Sequence, residues 1–118
     1  MVLIYQIYFL INDDHVKNIS FLMNRKGEWK LSPAYDLTLS YNPDNRWLKA
    51  HQMSINGKRT EITRNDILEC ADVMDIPRWK CKDMIEKTQT SVSRFSELAK
   101  QAYLTDTAIQ KVQKLLNN

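Results

Sequence analysis

The sequence predicts an α+β fold in which helices dominate. Residues 2–11 form an apolar run, residues 18–32 hold two short β-type segments around a turn, and residues 63–116 repeat apolar side chains every three or four positions. The chain has 118 residues, 43% hydrophobic and 26% charged, which is ordinary for one globular domain. We therefore expect a single domain, 1–118, with functional segments in 1–37, a loop region in 38–62 and a helical part in 63–118.

The N-terminal run, residues 2–11, is predicted to be a helix, although its valine, isoleucine and aromatic residues keep a strand as an alternative. It is too short to span a bilayer, which needs about 20 apolar residues. It also lacks the basic start and small-residue cleavage site of a signal peptide. Only Gln6 interrupts its apolar character, so a helix here must be covered by other protein. This predicts a partner surface and allows self-association.

A β-hairpin is predicted directly after the first polar loop. Residues 18–23 are typical of a strand, and residues 29–32 can pair with them. Asn24 and Gly27 supply turn residues between the two segments, and Pro33 ends the pairing. Further along, in the loop region 38–62, "HQMSING" is a candidate short strand that ends in a turn at Asn56-Gly57.

Three helices are predicted in the second half. Residues 63–66 resemble a capping box for the first, Pro77 opens the second, and Thr105 caps the third. The second is expected to run to Tyr103. The residues predicted to face the core are Ile67, Leu68, Ala71 and Met74 in the first helix; Cys81, Met84, Ile85, Thr88, Val92, Phe95, Ala99, Ala102 and Tyr103 in the second; and Ala108, Ile109, Val112, Leu115 and Leu116 in the third.

Charge and cysteine content exclude several classes of protein. A net charge of +3 permits an acidic partner or a nucleotide but does not indicate nucleic-acid binding. Cys70 and Cys81 form neither a CxxC pair nor a zinc pattern. The default expectation is a reduced, cytoplasmic protein without membrane segments.

One constellation has the spacing that phosphoryl transfer requires. That reaction needs a carboxylate to accept the proton of the attacking hydroxyl, and oxygen ligands that hold Mg²⁺ on the nucleotide phosphates. Asp13 and Asn18 have the Asp-x-x-x-x-Asn spacing of a kinase catalytic loop, and the hairpin returns the chain to a second acid, Asp36. On the pattern alone, a structural explanation remains open, in which all three residues serve as caps and turn residues.

The amino-acid sequences of these segments resemble those of a known family. "NDDHVKNISFL", "WKLSPAYDL" and "HQMSINGK" are similar, in this order, to the catalytic loop, the metal-binding segment and a later segment of the HipA family of toxin serine/threonine kinases. The resemblance covers roughly residues 3 to 100. It implies a partial kinase C-lobe, with an N-terminal helix, a catalytic loop, a small β-hairpin and about three C-terminal helices.

The resemblance also implies roles for individual residues. Asp13 matches the catalytic base, and Asn18 and Asp36 match the Mg²⁺ ligands. His15 and Lys17 match motif positions, and Lys17 is a candidate for contact with the γ-phosphate of ATP or with the substrate. The implied cofactors are Mg²⁺ and ATP. Asp14, which follows the predicted base, falls at a position where family members vary, and no role is assigned to it.

The family's kinases are several times longer than this chain. The sequence holds no Gly-rich phosphate loop, since its only glycines are Gly27 and Gly57. We therefore expect a C-terminal kinase fragment that is inactive alone and works with a separate N-lobe polypeptide. The resemblance implies a HipB-like antitoxin as a partner and a protein substrate such as an aminoacyl-tRNA synthetase. Two alternatives are a non-catalytic module that docks an antitoxin or a substrate protein, and a small helical interaction domain.

Overall fold

The computed structural model of the protein describes residues 2–117. Within them, five α-helices and one two-stranded antiparallel sheet make up the regular structure, so the prediction of an α+β, mostly α fold is confirmed. The helices are α1 (Val2–Tyr8), α2 (Arg64–Val73), α3 (Arg78–Ser93), α4 (Phe95–Gln101) and α5 (Asp106–Leu116), the strands are β1 (Phe21–Met23) and β2 (Trp29–Leu31), and a 3₁₀ turn covers Val16–Asn18.

Helix α3 lies at the centre of the core. Both α1 and α2 pack against it, and α4 packs against α5. Ile85 of α3 is fully buried, and Ile4 of α1 is 4% exposed. One side of the apolar α1 is therefore covered by the chain's own helices, and the partner surface predicted for this helix stays a prediction. The buried cluster consists of Ile4, Ile67, Leu68, Ala71, Cys81 and Ile85.

Helix α1 is shorter than predicted, since it ends at Tyr8. The N–H of Ile11 donates to the carbonyl of Gln6 at 2.9 Å, and Leu10 adopts a left-handed conformation with φ 52°. These features form a Schellman-type helix end, in which a non-glycine residue occupies the left-handed position. The helix prediction for residues 9–11 was wrong because hydrophobicity indicates burial and not helix: Ile11 is 2% exposed, but it lies outside the helix.

The predicted hairpin is present, with shorter strands than expected. Phe21 pairs with Leu31 and Met23 with Trp29, and the N–H of Ser32 donates to the carbonyl of Ser20 at 2.9 Å. The turn places Gly27 at φ +82°, a conformation that favours glycine. Both faces of the hairpin are exposed, since every residue of the two strands is solvent-accessible.

The segment 38–62 has little regular structure, as predicted, but it holds a tight turn. Asn56 and Gly57 both have positive φ, and Ile55 and Lys58 exchange backbone hydrogen bonds of 2.7 and 2.9 Å across them. This is the expected behaviour of an Asn-Gly pair between two extended residues. Ile55 is 1% exposed, so the turn is held against the body of the protein.

The predicted helix caps are confirmed. Thr63 and Asp66 form a complete capping box, with the side chain of Thr63 accepting from the N–H of Asp66 and the Asp66 carboxylate accepting from the N–H of Thr63 at 2.8 Å. Thr105 accepts from the N–H of Ala108 at the start of α5. Pro77 lies immediately before α3 and is its N-cap residue.

The long second helix predicted for the C-terminal half is divided into α3 and α4 at Arg94. Just before the break, the hydroxyls of Thr90 and Ser91 donate to the carbonyls of Glu86 and Lys87, at 2.9 Å each. Such back-bonding by serine and threonine competes with the helix ladder and bends helices. Residues 64–117 therefore hold four helices instead of about three.

Three residues predicted to face the core are exposed. Met74 is 55% exposed and Tyr103 is 95% exposed, and Ala102 is also exposed. All three follow the last turn of a helix, at the ends of α2 and α4. Once the helix has ended, the period of 3.6 residues no longer carries the next side chain to the buried face.

None of the helices among residues 2–117 has both the length and the apolar character needed to cross a membrane.

Candidate active site

The structure brings three of the predicted site residues together. The side-chain Nδ2 of Asn18 donates to the backbone carbonyl of Asp13 at 2.9 Å and to Oδ2 of Asp36 at 2.9 Å. Asn18 and Asp36 are 18 residues apart in the chain, and the intervening hairpin returns the chain to the loop. The convergence expected from the order of loop, hairpin and acid is therefore present.

The segment that carries Asp36 is fastened to the loop at a second point. The hydroxyl of Tyr35 donates to the carbonyl of Lys17 at 2.7 Å, next to the Asn18–Asp36 contact. Asp36 itself has φ 54°, in the left-handed region. Aspartate occupies that region more readily than bulkier residues do, because its short polar side chain can bond locally. The two adjacent contacts hold Asp36 in place despite this conformation.

The carboxylate of Asp13 faces solvent, with 52% of its side chain exposed. Its backbone N–H donates to the hydroxyl of Ser40 at 3.0 Å, so the main chain is held while the side chain stays accessible. Nε2 of His15 lies 3.8 Å from Oδ1 of Asp13, which is too far for a hydrogen bond. The position suits a group that must reach an external hydroxyl.

His15 and Lys17 lie on the same loop with different environments. Nδ1 of His15 is buried and has no hydrogen-bond partner within residues 2–117. Lys17 is exposed in the 3₁₀ turn, and its ammonium group makes no ion pair with a described residue. Lys17 is thus available to a ligand, whereas His15 is partly enclosed by the loop.

Sequence reasoning missed Asp14, which is fully buried. Its carboxylate accepts from Nδ1 of His51 at 2.8 Å, from the N–H of Gln52 at 2.6 Å and from the N–H of Met53 at 3.4 Å. Burial works against the charge and is the largest influence on this group. These hydrogen bonds together outweigh it and hold the pKa of the Asp14 carboxyl below its ordinary value.

The two adjacent acids of the loop lie in opposite environments. Ile11, Asn12 and Asp14 are buried, while Asp13 points outward between the last two. Nδ2 of Asn12 donates to the carbonyl of Leu48 at 2.9 Å. Three consecutive loop residues are therefore tied to residues 40–53. No local signal marked Asp14 as buried, because its neighbours Asp13 and His15 are polar and its partner His51 is 37 residues away.

The oxygen atoms at Asn18 and Asp36 fit magnesium chemistry. Mg²⁺ takes oxygen ligands and is usually held by one or two protein carboxylates together with waters and substrate phosphates. Nδ2 of Asn18 uses its hydrogens on protein oxygens, so Oδ1 is the atom that a cation would contact. Among residues 2–117, no group of three or more His, Cys, Asp or Glu side chains could hold a metal alone. Asn18 and Asp36 therefore suit a cation that is also held by the phosphates of a nucleotide.

Comparison with known proteins defines the class to which this loop, hairpin and acid belong. Residues 2–98 match the family model of the HipA-like C-terminal domain. The match includes α1, the loop, the hairpin, α2, α3 and the start of α4. The chain belongs to the HipA-like C-terminal domain family, as its motifs indicated. No curated protein and no solved structure matches the chain.

Proposed function

We propose that this chain is the catalytic-loop and metal-binding part of a HipA-like serine/threonine protein kinase. The reaction would transfer the γ-phosphoryl group of ATP to a serine or threonine hydroxyl. The observation that supports this most directly is the Asn18 side chain, which joins the carbonyl of Asp13 to the carboxylate of Asp36. The amide of one candidate metal ligand thus contacts both the main chain of the candidate base and the carboxylate of the other candidate ligand.

Asp13 is the proposed general base. A base must come within hydrogen-bond reach of the hydroxyl whose proton it accepts. The Asp13 carboxylate is half-exposed, and its backbone is tied to Ser40, so a substrate hydroxyl can approach a held group. In phosphoryl transfer, this residue orients the attacking oxygen and accepts its proton.

Asn18 and Asp36 are the proposed magnesium ligands. When bound, Mg²⁺ would neutralise part of the charge on the nucleotide phosphates. The protein's contribution is to hold the Asn18 amide oxygen and the Asp36 carboxylate close together before the nucleotide arrives. The Tyr35–Lys17 hydrogen bond of 2.7 Å adds to this preorganisation.

Lys17 and His15 are proposed to assist. The exposed ammonium of Lys17 can approach the γ-phosphate or the substrate from the loop that carries the base. The partly enclosed ring of His15 contributes chiefly to the shape of the loop. The cofactor of the reaction is proposed to be ATP with Mg²⁺.

These 118 residues are proposed to be inactive by themselves. Kinase catalysis depends mostly on positioning and on charge stabilisation around the phosphates. Gly27 and Gly57 each lie in a separate tight turn, and neither belongs to a Gly-rich phosphate loop. A separate N-lobe polypeptide is therefore the proposed partner. A HipB-like antitoxin and a protein substrate such as an aminoacyl-tRNA synthetase are further proposed partners.

The test uses calorimetric titration with Mg²⁺–ATP and a phosphate-transfer assay, both with a HipA-family N-lobe added as a second polypeptide. We expect Asp36→Asn to abolish nucleotide binding, and Asp13→Asn to abolish transfer while binding persists. Asp44→Asn removes the same charge from an exposed loop and is the matched control. Transfer that persists in Asp13→Asn would rule out the proposed base.

A non-catalytic docking function is the second candidate, and the hairpin favours it. Phe21, Trp29 and Leu31 are 61%, 67% and 55% exposed, which is unusual for clustered apolar side chains. In this case, antitoxin or substrate protein would bind equally well to Asp13→Asn and wild type, and Trp29→Ala would weaken that binding.

A further inference from the structure

The buried contact between the loop and residues 51–53 suggests a role for Asp14 beyond stability. Three consecutive residues, His51, Gln52 and Met53, all present a donor to this one carboxylate. Asp14 is fully buried and His51 is 5% exposed. Buried carboxylates are costly unless each oxygen has donors, and this one has donors on both oxygens.

The direction of each hydrogen bond follows from the geometry. Both backbone N–H groups can only donate, so the carboxylate must accept from them. Nδ1 of His51 lies 2.8 Å from Oδ2 of Asp14 and therefore carries a hydrogen. An asparagine at position 14 would have the same shape but would turn an NH₂ group toward at least one donor. Asp14→Asn is thus a change of polarity without a change of volume.

A continuous set of contacts leads from this carboxylate to the proposed metal ligands. Asp14 directly follows Asp13, whose carbonyl accepts from Nδ2 of Asn18 at 2.9 Å. The same Nδ2 donates to Asp36 at 2.9 Å. If the backbone at residues 13 and 14 turns, the carbonyl moves away from Asn18, and Asn18 loses one of the two contacts that orient its amide.

We infer that Asp14 and His51 are positioning residues that set the loop so that Asn18 and Asp13 are correctly oriented for catalysis. Neither side chain touches the reacting groups, since both are buried behind the loop. This inference rests on the proposed kinase function for its consequence. The geometric part, the dependence of the Asn18 amide on the buried pair, can be tested without any nucleotide.

The first experiment follows the side-chain NH₂ signals of Asn18 by NMR, assigned through their loss in Asn18→Ala. In wild type, both hydrogens are bonded, so we expect slow exchange with water. Asp14→Asn and His51→Leu should each speed this exchange and shift the signals, while the methyl signals of the buried Ile4 and Ile85 stay in place. His51→Asn is the matched control, because its amide nitrogen can replace Nδ1 as the donor and should restore wild-type behaviour.

A second measurement tests the consequence for the metal ligands. Mn²⁺ is titrated into each protein in the presence of ATP and the added N-lobe, and its binding is followed by broadening of the Asn18 signals. We expect affinity to fall by about tenfold in Asp14→Asn and in His51→Leu, the effect typical of an outer-shell change. His51→Asn should remain close to wild type.

The two measurements test the metal role and the positioning role separately. If wild type shows no Mn²⁺ response, the proposed metal role fails, and the exchange measurement still decides the positioning role. If folded Asp14→Asn and His51→Leu keep the Asn18 exchange rate and signals of wild type, the positioning inference is overturned. If Asp14→Asn unfolds, the comparison of His51→Leu with His51→Asn provides the same decision.

Discussion

The amide of Asn18 and the carboxylate of Asp36 lie 2.9 Å apart, although 18 residues separate them in the chain. An amide donor makes this contact favourable without a cation, whereas two carboxylates at this distance would repel each other. The protein alone can therefore hold the two side chains together, and the proposed cation would need to displace few protein contacts when it binds.

The first prediction uses that relationship. Asn18→Asp should place two carboxylates side by side and lower the free energy of unfolding by about 1–2 kcal/mol, because a charge-assisted hydrogen bond is replaced by repulsion. Millimolar Mg²⁺ should restore much of this loss, since it binds the folded pair and not the unfolded chain. Thermal melts of wild type and Asn18→Asp with and without Mg²⁺ provide the measurement. Equal Mg²⁺ responses in the two proteins would count against a cation site here.

The second prediction concerns acid stability. The capping hydrogen bonds of Thr63 come first among the influences that hold the pKa of Asp66 well below its ordinary value, followed by those of Asn56 and Lys58. The pKa of Asp14 is also lowered, by His51, Gln52 and Met53 against the effect of burial. The unfolded chain therefore binds more protons than the folded protein around and below the ordinary aspartate pKa of about 3.9.

The sign follows from that difference. The stability contributed by Asp66 and Asp14 is fully present above the unfolded pKa and is lost as the pH falls toward the lower folded pKa. Urea unfolding between pH 6 and pH 2 should show a declining free energy of unfolding. The decline should be shallower in Asp66→Asn and Asp14→Asn than in wild type, and Asp44→Asn should keep the wild-type slope. Parallel slopes in all four proteins would contradict this account.

The third prediction concerns a strained helix end. Tyr103 follows α4 with φ 60° and is 95% exposed, so it has left-handed strain and little packing. A left-handed conformation costs an L-residue about 1–2 kcal/mol, and glycine avoids most of this cost. Glycine's greater freedom in the unfolded chain cancels part of that gain. Tyr103→Gly should therefore raise the free energy of unfolding by about 0.5–1 kcal/mol. Tyr103→Ala keeps the strain, so its stability should not rise in the same denaturant titration.

The fourth prediction tests the core around α3. Ile85 is fully buried among α1, α2 and α3, so Ile85→Ala should lower the free energy of unfolding by about 2–5 kcal/mol, through lost burial and a cavity. Val73, at the end of α2, is 86% exposed, and Val73→Ala should change stability by less than about 0.5 kcal/mol. A small effect of Ile85→Ala in chemical denaturation would show that this cluster is not the stabilising core.

Local sequence signals predicted the features that depend on near neighbours. The capping residues Thr63 and Thr105 and the Asn56-Gly57 turn act over two to four residues, and all three are present as expected. The end of α1 at Tyr8 and the break at Arg94 were not predicted, because hydrophobic periodicity continues through both. Left-handed Leu10 and the back-bonding hydroxyls before Arg94 decide those boundaries, and neither changes the apolar pattern.

By itself, the sequence determined the order of the candidate site: Asp13, Asn18, a hairpin and then Asp36. A short hairpin necessarily returns the chain to its starting point, so local pairing brings these residues together. Only the tertiary structure decided which of the two adjacent acids, Asp13 and Asp14, is buried. Asp14 is buried against His51, 37 residues away, and Asp13 remains exposed. Which of the two acids is buried depends on the hydrogen-bond donors of residues 51–53, a distant segment that no local pattern specifies.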